Sequence, residues 1–542
     1  MSKLSAYLQS KQLVNLQQAI KNNESILIEE LWNSPKALVA SLVQETTGKH
    51  VLILTGGSQE ETRLYHDFSY FTDCPIVDFP SWETLPSENI APSPDIVGER
   101  YQVLHELKNS NQPHIIISGL QACLQRLIVP KLFSSLSLII QVGKNISFEE
   151  LISKLGTMGY QRCPIATDKG EFAVRGGIID IFPVSSPDPF RLEFWGNELD
   201  SIRVYDPIGQ KSIRTVETIE IYPGVELELL QQQSSQGTIF DYLGSDTIVI
   251  FDDLMALEDR YASLVSMGCK NKYFSSIEEF LDQLNPMQKI FLSQQSIEEL
   301  SEIKLENAKN KSYYSQNVSF LRLSFELFNR QWTMNKWNHP FNTITGFLFE
   351  HEEEPSNEEL LNRLSQLDPK KTELHLLVSS ELEEENLRKK IHDAQVLLPK
   401  KTFFDRGYLS SGLVLQDIEY VLFPFTELSH RYKIRRQKLR STYHTTPAET
   451  YHLLPGELVV HLNNGIGKYL GIEKKINHLG ILSEFFVIEY AEQAKLYVPF
   501  NQAHYISKYI GANESLPKYH TLGSPQWKKT REQTEKAILG YA

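Results

Sequence analysis

Residues Val51–Ser58 have the sequence VLILTGGS, an apolar run that ends in a glycine turn. A short run without polar alternation is typical of a buried parallel strand. The stretch Glu60–Phe68 then has a helical pattern, and further apolar runs follow at Ile115–Ile117 and Leu136–Val142. Strands that alternate with helices predict an α/β domain with a parallel sheet.

A different pattern begins near Ser147. After the helical stretch Phe148–Met158, short apolar runs are separated by the glycine turns Gly176-Gly177 and Gly196-Asn197. These runs are Glu171–Val174, Ile178–Phe182, Arg191–Trp195 and Ile202–Tyr205. They predict an antiparallel meander. Because Thr247–Phe251 resumes the parallel-strand pattern, we interpret the meander as an α+β insertion in the α/β domain.

Two smaller domains are expected further along the chain. The segments that predict a further small α/β domain are Leu374–Ser379, the helix-prone Glu381–Ile391, Gln395–Leu398 and Tyr420–Phe423. The strand-like runs that predict a small SH3/Tudor-like β-barrel are Leu458–His461, Phe485–Tyr490 and Leu496–Pro499. The segment Trp527–Ile538 has a helical pattern. The predicted fold class is therefore α/β multidomain.

Composition excludes several classes of protein. The 542 residues suggest about three to four domains, and 41% hydrophobic with 23% charged residues argues against disorder. A net charge of −14 disfavours non-specific DNA coating. The four cysteines are widely scattered, and the N-terminus lacks the apolar core of a signal peptide. We therefore expect a cytoplasmic protein without membrane contacts.

The Gly56-Gly57 turn lies where a nucleotide-binding P-loop would be. A P-loop needs a lysine for the β- and γ-phosphates and a Ser or Thr for the metal. That lysine is absent, and Glu60 and Glu61 occupy its region, where carboxylates would repel phosphate. The other Gly-Lys pairs are not followed by Ser or Thr. We predict a degenerate nucleotide site, no catalytic residues and no cofactor in this chain.

Other candidate sites have structural interpretations. Asp252-Asp253 follows a strand as a Walker B acid would, and we interpret it as a helix cap or a relic. The histidines form no metal-binding motif, and His461 is interpreted as a structural residue. The basic run Arg431–Arg440 contains six cations and no acid. A solvated linker and a contact with nucleic acid or an acidic neighbour both remain open for it.

Longer blocks of the sequence resemble the bacterial transcription-repair coupling factor (Mfd) family. Phe79–Pro86 (FPSWETLP) and Ser93–Ile96 resemble its first segment. Gly170–Pro183 (GEFAVRGGIIDIFP) resembles its UvrB-like second domain, and Phe190–Trp195 and Glu198–Arg203 continue that match. The segments that resemble its CarD-like RNA-polymerase-interacting domain are Pro455–His461, Gly465–Gly471 and Tyr497–Pro499.

The resemblance implies a domain order for the whole chain. It implies a UvrB-like domain 1a at 1–144, a UvrA-binding domain 2 at 145–225, domain 1b at 226–330, a small α/β domain 3 at 331–430, a basic linker at 431–451, a CarD-like domain at 452–518, and at 519–542 the start of a helix that leads to the motor. We therefore expect this chain to be the N-terminal part of a longer protein. ATP and Mg²⁺ would belong to the helicase-like motor that follows, and double-stranded DNA would bind mainly there.

The resemblance also implies two sets of docking residues. The residues implied for UvrA binding are Arg175, Arg191, Trp195, Phe190 and Arg203. The residues implied for contact with the β subunit of RNA polymerase, through a strand edge, are Ile472, Lys474, Lys475 and Ile476. Arginine can bind carboxylates in a bidentate manner, and an exposed tryptophan can anchor an interface.

We thus expect a monomeric docking platform that binds RNA polymerase stalled at DNA damage and recruits UvrA for excision repair. ATP-dependent DNA translocation is expected only of the full-length protein. The alternative is an active UvrB-like nucleotide-dependent repair enzyme, and the missing Gly-Lys-Ser/Thr motif argues against it. A stand-alone CarD-type regulator would leave the long segment before the barrel unexplained.

Overall fold

The computed structural model describes residues 3–29, 31–84, 90–207, 210–232, 236–294, 317–320, 332–337, 341–342, 357–429, 455–461, 464–476, 482–499 and 506–508, and the single residues 519 and 521. The chain divides into two compact units, Met1–Arg440 and Ser441–Ala542. The basic run Arg431–Arg440 and the predicted helix Trp527–Ile538 lie outside the described residues.

The first unit contains most of the regular structure. Its strands are β1 (Ile26–Ile28), β2 (Val51–Thr55), β3 (Ile76–Phe79), β4 (Ile115–Gly119), β5 (Leu138–Gln141), β6 (Gln161–Arg162), β7 (Glu171–Arg175), β8 (Ile178–Ile181), β9 (Phe190–Trp195), β10 (Glu198–Tyr205), β11 (Ser212–Val216), β12 (Thr218–Ile221), β13 (Ile248–Asp252), β14 (Gln288–Leu292), β15 (Asn317–Phe320), β16 (Trp332–Trp337), β17 (Phe341–Asn342), β18 (Glu373–Val378), β19 (Lys401–Arg406), β20 (Leu413–Leu415) and β21 (Tyr420–Pro424). Its helices are α1 (Lys11–Lys21), α2 (Ser34–Thr47), α3 (Ser58–Phe71), α4 (Pro94–Asn109), α5 (Leu120–Leu124), α6 (Pro130–Leu136), α7 (Phe148–Thr157), α8 (Leu227–Gln232), α9 (Phe240–Leu243), α10 (Leu254–Ser266), α11 (Ile277–Leu284), α12 (Asn357–Leu364), α13 (Glu381–Asp393) and α14 (Thr426–Ser429).

The main sheet has the strand order β15-β16-β1-β14-β13-β2-β4-β3. All neighbouring strands in it are parallel except β15 and β16. Leu52 and Leu54 of β2 pack in a hydrophobic core on one face, and Val51 and Ile53 pack in a second core on the other face. A strand buried on both faces has no polar alternation, which explains the VLIL run. The predicted parallel α/β fold is confirmed.

The predicted insertion between β4 and β13 forms a separate six-stranded sheet with the order β11-β10-β9-β8-β7-β6. Its neighbours are antiparallel except β6 and β7. Helix α7 covers one face of this sheet, because Leu151 and Leu155 share a core with Ile179. The turn residues Gly176 (φ +59°) and Gly196 (φ +64°) have left-handed backbone conformations that favour glycine. The insertion is therefore the predicted antiparallel meander with one helix packed on it.

A third sheet, in the order β17-β20-β21-β18-β19, shares a core with the main α/β domain. Leu377 and Leu422 of this sheet pack in the same cluster as Phe68 of α3. At the same junction the buried carboxylate of Asp67 accepts hydrogen bonds from the Ser410 backbone N (2.6 Å), the Ser410 hydroxyl (2.6 Å) and the Ser34 hydroxyl (2.8 Å). Helix α3 therefore packs between the main sheet and the third sheet.

The second unit contains the strands β22 (Leu458–His461), β23 (Gly465–Ile476), β24 (Leu482–Glu489), β25 (Lys495–Pro499) and β26 (Ile506–Lys508). They form an antiparallel sheet in the order β25-β24-β23-β22-β26 around a small core that includes Tyr469, Phe486 and Val498. His461 is buried, and its Nδ1 lies 3.0 Å from Asn464 Nδ2, as expected for a structural histidine. Closure of this sheet into a barrel stays a prediction.

The structure corrects two predicted strands. The run Leu136–Val142 forms β5, which pairs antiparallel with β12 in a two-stranded sheet and not within the main sheet. Ile139 is 67% exposed, as expected for a strand with one buried face. Residues Gln395–Leu398 form no strand, and the strand is β19, Lys401–Arg406. This edge strand is half-exposed, so its apolar signal is weak.

One predicted domain limit also differs from the sheet pairing. The expected boundary at residue 330 falls just before β16, and β16 pairs with β1. The main sheet therefore extends past that limit.

Among the described residues, no helix has both the length and the apolar character needed to cross a membrane. The same residues contain no group of three or more His, Cys, Asp or Glu side chains that could hold a metal ion. All four cysteines are free thiols.

Candidate protein-docking surfaces

The face of the six-stranded sheet opposite α7 presents most of the residues implied for UvrA binding; we call it the outer face. Leu192 and Phe194 of β9 point into the core, so the alternate residues Arg191 and Trp195 lie on the outer face. The same alternation places Arg175 of β7 and Arg203 of β10 there, and Arg203 is the cross-strand neighbour of Arg191. Phe190 lies on the opposite face and packs against the core. The structure thus brings four of the five residues together.

Arg191 is engaged inside the protein. Its Nε lies 2.7 Å from Asp180 Oδ1, and its Nη2 lies 2.9 Å from Asp180 Oδ2. Asp180 is only 1% exposed, and the hydrogen bond from Arg191 to it raises the pKa of Arg191. The guanidinium also lies over the Tyr205 ring, 4.8 Å from its centroid. Removal of Arg191 would leave a buried carboxylate without its cation, which is strongly destabilising.

Arg175 and Trp195 are exposed at the same end of the sheet. Their strands, β7 and β9, flank β8 and run in the same direction. Arg175 and Glu193 both pair with Ile178, and Trp195 lies two residues beyond Glu193, so the backbones of Arg175 and Trp195 are roughly 12 Å apart. Trp195 is 84% exposed. Arg203 forms an ion pair with Glu193, with 2.8 Å between Nη2 and Oε2. An exposed indole on the same face as an exposed guanidinium is a composition expected of an interface.

Carboxylates lie at the turn that the sequence predicts to be a degenerate nucleotide site. The Thr55 hydroxyl donates a hydrogen bond to Glu61 Oε1 at 2.9 Å, and a Cβ added at Gly57 would lie 3.2 Å from Glu60 Oε2. Both glutamates therefore fold back over the start of α3, where a P-loop would bind phosphate. Gly56 is required by packing, because a Cβ there would lie 2.7 Å from the Ala256 Cβ.

The acid that resembles a Walker B residue also has a structural partner. Asp252 Oδ1 lies 2.6 Å from Lys36 Nζ, and both side chains are buried. This ion pair joins the end of β13 to α2.

The candidate polymerase-contact segment lies along one edge of β23. Residues Gly465–Lys468 pair with β22, whereas Lys468–Ile476 pair with β24. Among the described residues, Gly471–Ile476 therefore has a strand neighbour on one side only. Ile472 is 49% exposed. The side chains of Lys474, Lys475 and Ile476 lie outside the described residues, and only their backbone pairing is described.

Both candidate regions coincide with known domain families. A family model described as "UvrB interaction domain" matches residues 138–227, which extend from the start of β5 to the start of α8. A second one, described as "CarD-like/TRCF RID domain", matches residues 453–510, which contain β22 to β26. The chain is therefore a multidomain protein with one region similar to each of these two domain types.

Nearly the whole chain is similar to one group of curated proteins. It is 25% identical to the transcription-repair-coupling factor of Bacillus subtilis over 95% of this chain and 48% of that protein. For the same factor in Escherichia coli the identity is 25%, over 96% of this chain and 48% of the relative. For the factor of Haemophilus influenzae the identity is 24%, over 96% of this chain and 48% of that protein. The resemblance seen in the sequence is confirmed, and the chain spans about half the length of the curated relatives it matches.

A likeness to a solved structure is weak. The chain titled "XPD_Helicase" matches with a TM-score of 0.22 and 12% identity, over 74% of this chain and 80% of that chain. A score this low supports no conclusion on fold or function.

Proposed function

We propose that this chain is a docking platform of transcription-coupled DNA repair. It binds UvrA through the outer face of the six-stranded sheet, and it binds RNA polymerase through the five-stranded sheet of the second unit. The observation that carries the proposal is Trp195, a large apolar side chain left 84% exposed on a small sheet whose other large apolar side chains are mostly packed in its core. Single exposed apolar residues are common, but Trp195 shares its face with the exposed Arg175 in the region that the interaction-domain model matches, which supports the proposal.

The chemistry of the outer face favours a partner with both apolar and acidic groups. The indole of Trp195 can bury a large area and loses little side-chain freedom on binding. Arg175 can donate two parallel hydrogen bonds to a carboxylate. Arg203 is a weaker candidate, because Glu193 already neutralises it on the surface.

For the second unit, we propose that the β subunit of RNA polymerase adds a strand to the Gly471–Ile476 edge. Main-chain hydrogen bonds would supply affinity, and the neighbouring side chains would supply specificity. Ile472 would enter an apolar pocket, Lys474 and Lys475 would pair with acids, and Ile476 is the fourth contact of the set. Among the described strands, only β24 pairs with this segment, which supports the assignment.

ATP-dependent translocation on double-stranded DNA, with ATP and Mg²⁺, is proposed for a motor in the full-length protein. The chain itself is proposed to act as a monomer in the cytoplasm. A nucleotide-hydrolysing role for this chain has less support, since Glu60 and Glu61 fold over the helix start that would bind phosphate.

Calorimetric titration of UvrA tests the outer face. Arg175→Glu and Trp195→Ala are each expected to weaken UvrA binding at least about tenfold, because each removes an exposed anchor. Arg214→Glu is the matched control: Arg214 lies opposite Val204 on the other face and forms an exposed ion pair with Asp188. It should bind like the wild type. If all three variants kept the wild-type affinity, the outer face would not be the UvrA site.

A further inference from the structure

We infer that Gln210 is a positioning residue of the outer face, which holds Arg175 in the orientation that binds a partner's carboxylate. The inference rests on the proposed function of that face. Gln210 belongs to the loop between β10 and β11 and was not a candidate from the sequence.

Gln210 joins the two arginines of the outer face. Its side-chain oxygen Oε1 accepts hydrogen bonds from Arg175 Nη1 (3.2 Å) and from Arg191 Nη2 (3.1 Å). Its backbone oxygen accepts a third hydrogen bond from Arg191 Nη1 (3.3 Å). One residue therefore links cations that come from two different strands, β7 and β9.

The position of Gln210 is itself determined by its loop. Its backbone has φ +53°, a left-handed conformation that a residue with a Cβ adopts only when its surroundings hold it there. Its side-chain Nε2 donates to the Pro207 carbonyl oxygen at 2.7 Å, which fixes the amide so that Oε1 faces the arginines. The Asp206 backbone N also donates to the Lys211 carbonyl oxygen at 2.8 Å and closes the loop.

The hydrogen-bond donors of the two arginines are used unequally. A guanidinium has five N–H groups. Among the described residues, Arg191 uses four of them, on Asp180 and Gln210. Arg175 uses three, on the Pro164 carbonyl oxygen and on Gln210. Arg175 thus keeps one N–H on each terminal nitrogen, and a carboxylate can accept both at once.

These contacts give each of the three residues a different role. Arg191 neutralises Asp180 and holds the loop, Gln210 orients the guanidinium of Arg175, and Arg175 contacts the partner. An arginine without such restraint loses rotamer freedom when it binds, and that loss weakens affinity. Gln210 removes part of this cost before the partner arrives.

A double-mutant cycle tests the inference, with affinity for purified UvrA measured by calorimetry and folding measured by thermal melting. Gln210→Met keeps the side-chain length but has no amide oxygen. It should weaken UvrA binding about tenfold. In an Arg175→Ala background, where no guanidinium remains to be oriented, the same change should cause almost no further loss.

Gln210→Glu separates positioning from folding. A carboxylate keeps the acceptor and adds a charge that pairs with both arginines, so the melting temperature should not fall. The same charge competes with the partner's carboxylate for Arg175, so UvrA binding should weaken at least as much as in Gln210→Met. A merely structural role would leave the affinity of this stable variant unchanged.

The outcomes distinguish the inference from the proposed function. If Arg175→Ala weakens binding but both Gln210 variants bind like the wild type, the proposal that the outer face binds UvrA is supported and the role of Gln210 is overturned. The same holds if the losses from Gln210→Met and Arg175→Ala simply add. If Arg175→Ala itself has no effect, the proposed UvrA face is wrong and the inference fails with it.

Discussion

Three ion pairs among the described residues contain a buried carboxylate, and two of them join distant parts of the sequence. The guanidinium of Arg100 lies 3.0 Å from Glu226 Oε2, and both side chains are fully buried. Asp180 has Arg191 as its partner, and Asp252 has Lys36. Breaking one such pair typically costs about 3–5 kcal/mol, because the remaining charge is left without compensation. Charge reversal at Arg191 would therefore reduce folding as well as binding, and the two effects could not be separated. Arg175 is the better position for a binding test.

Asp67 makes the stability of the first unit depend on pH. Burial raises the pKa of Asp67 to about 6, and hydrogen bonds from Ser410 and Ser34 oppose the rise only in part. Because this pKa lies above the ordinary value of 3.8, the protonated form favours folding. The stabilisation is complete below about pH 4 and is lost as pH rises through about 6. Its total contribution to the free energy of unfolding is at most about 3 kcal/mol.

We predict that Asp67→Asn removes this dependence. Urea unfolding of both proteins between pH 4 and 7.5 measures it. As pH rises, the free energy of unfolding of the wild type should fall relative to that of the variant. His375 serves as an internal reference: burial lowers its pKa, the carboxylates of Asp405 and Glu373 outweigh that effect, and the pKa is raised. Its contribution also declines as pH rises, but equally in both proteins. A constant difference between the two proteins across this range would contradict the assignment.

At the scale of elements, helix α4 attaches the insertion to the main sheet. Gly98 has no room for a side chain, since an added Cβ would lie 2.0 Å from the Val184 carbonyl oxygen. On either side of it, Asp95 forms an ion pair with Lys169 at 2.7 Å, and Gln102 Nε2 donates to the Ser185 carbonyl oxygen at 2.5 Å. The close approach fixes where the insertion lies against α4.

Gly98→Val should force the insertion away from α4. We expect a loss of about 1–3 kcal/mol in the free energy of unfolding, the typical cost of overpacking. UvrA binding should persist, because the outer face is on a different part of the insertion. Gly156→Ala is the control: it lies in α7, nothing is within 4 Å of an added Cβ, and alanine should be neutral or slightly stabilising. Equal stability of the two variants in urea unfolding would show that the Gly98 contact is unimportant.

The elements that the sequence predicted best are those in which burial produces a continuous or alternating pattern of apolar residues. β2 and β13 are buried along their length, and their apolar runs located them. β19 was missed because this half-exposed edge strand, KTFFDR, has only two adjacent apolar residues and no continuous or alternating pattern. The structure places Arg175, Arg191 and Arg203 on one face of the sheet, and their role in UvrA binding stays a prediction. Their different roles depend on Asp180 and Gln210, which strand register and a loop bring beside them, and no pattern along the chain encodes that pairing.

At the scale of the whole molecule, the two candidate surfaces belong to different units of the chain. The outer face lies in the first unit, and the β23 edge lies in the second. A chain with two separate docking surfaces can hold two partners at once. Its net charge of −14 is more compatible with protein partners than with extensive contact to the DNA backbone.

The most direct measurement is the retention of UvrA on immobilised RNA polymerase core enzyme in the presence of this chain. The proposal predicts that UvrA is retained only when the chain is present. Trp195→Ala should release UvrA while the chain stays bound, and Ile472→Asp should release both, because it disturbs the β23 edge. If the chain failed to bind polymerase, or if UvrA stayed bound through the Trp195→Ala variant as through the wild type, the docking account would be contradicted.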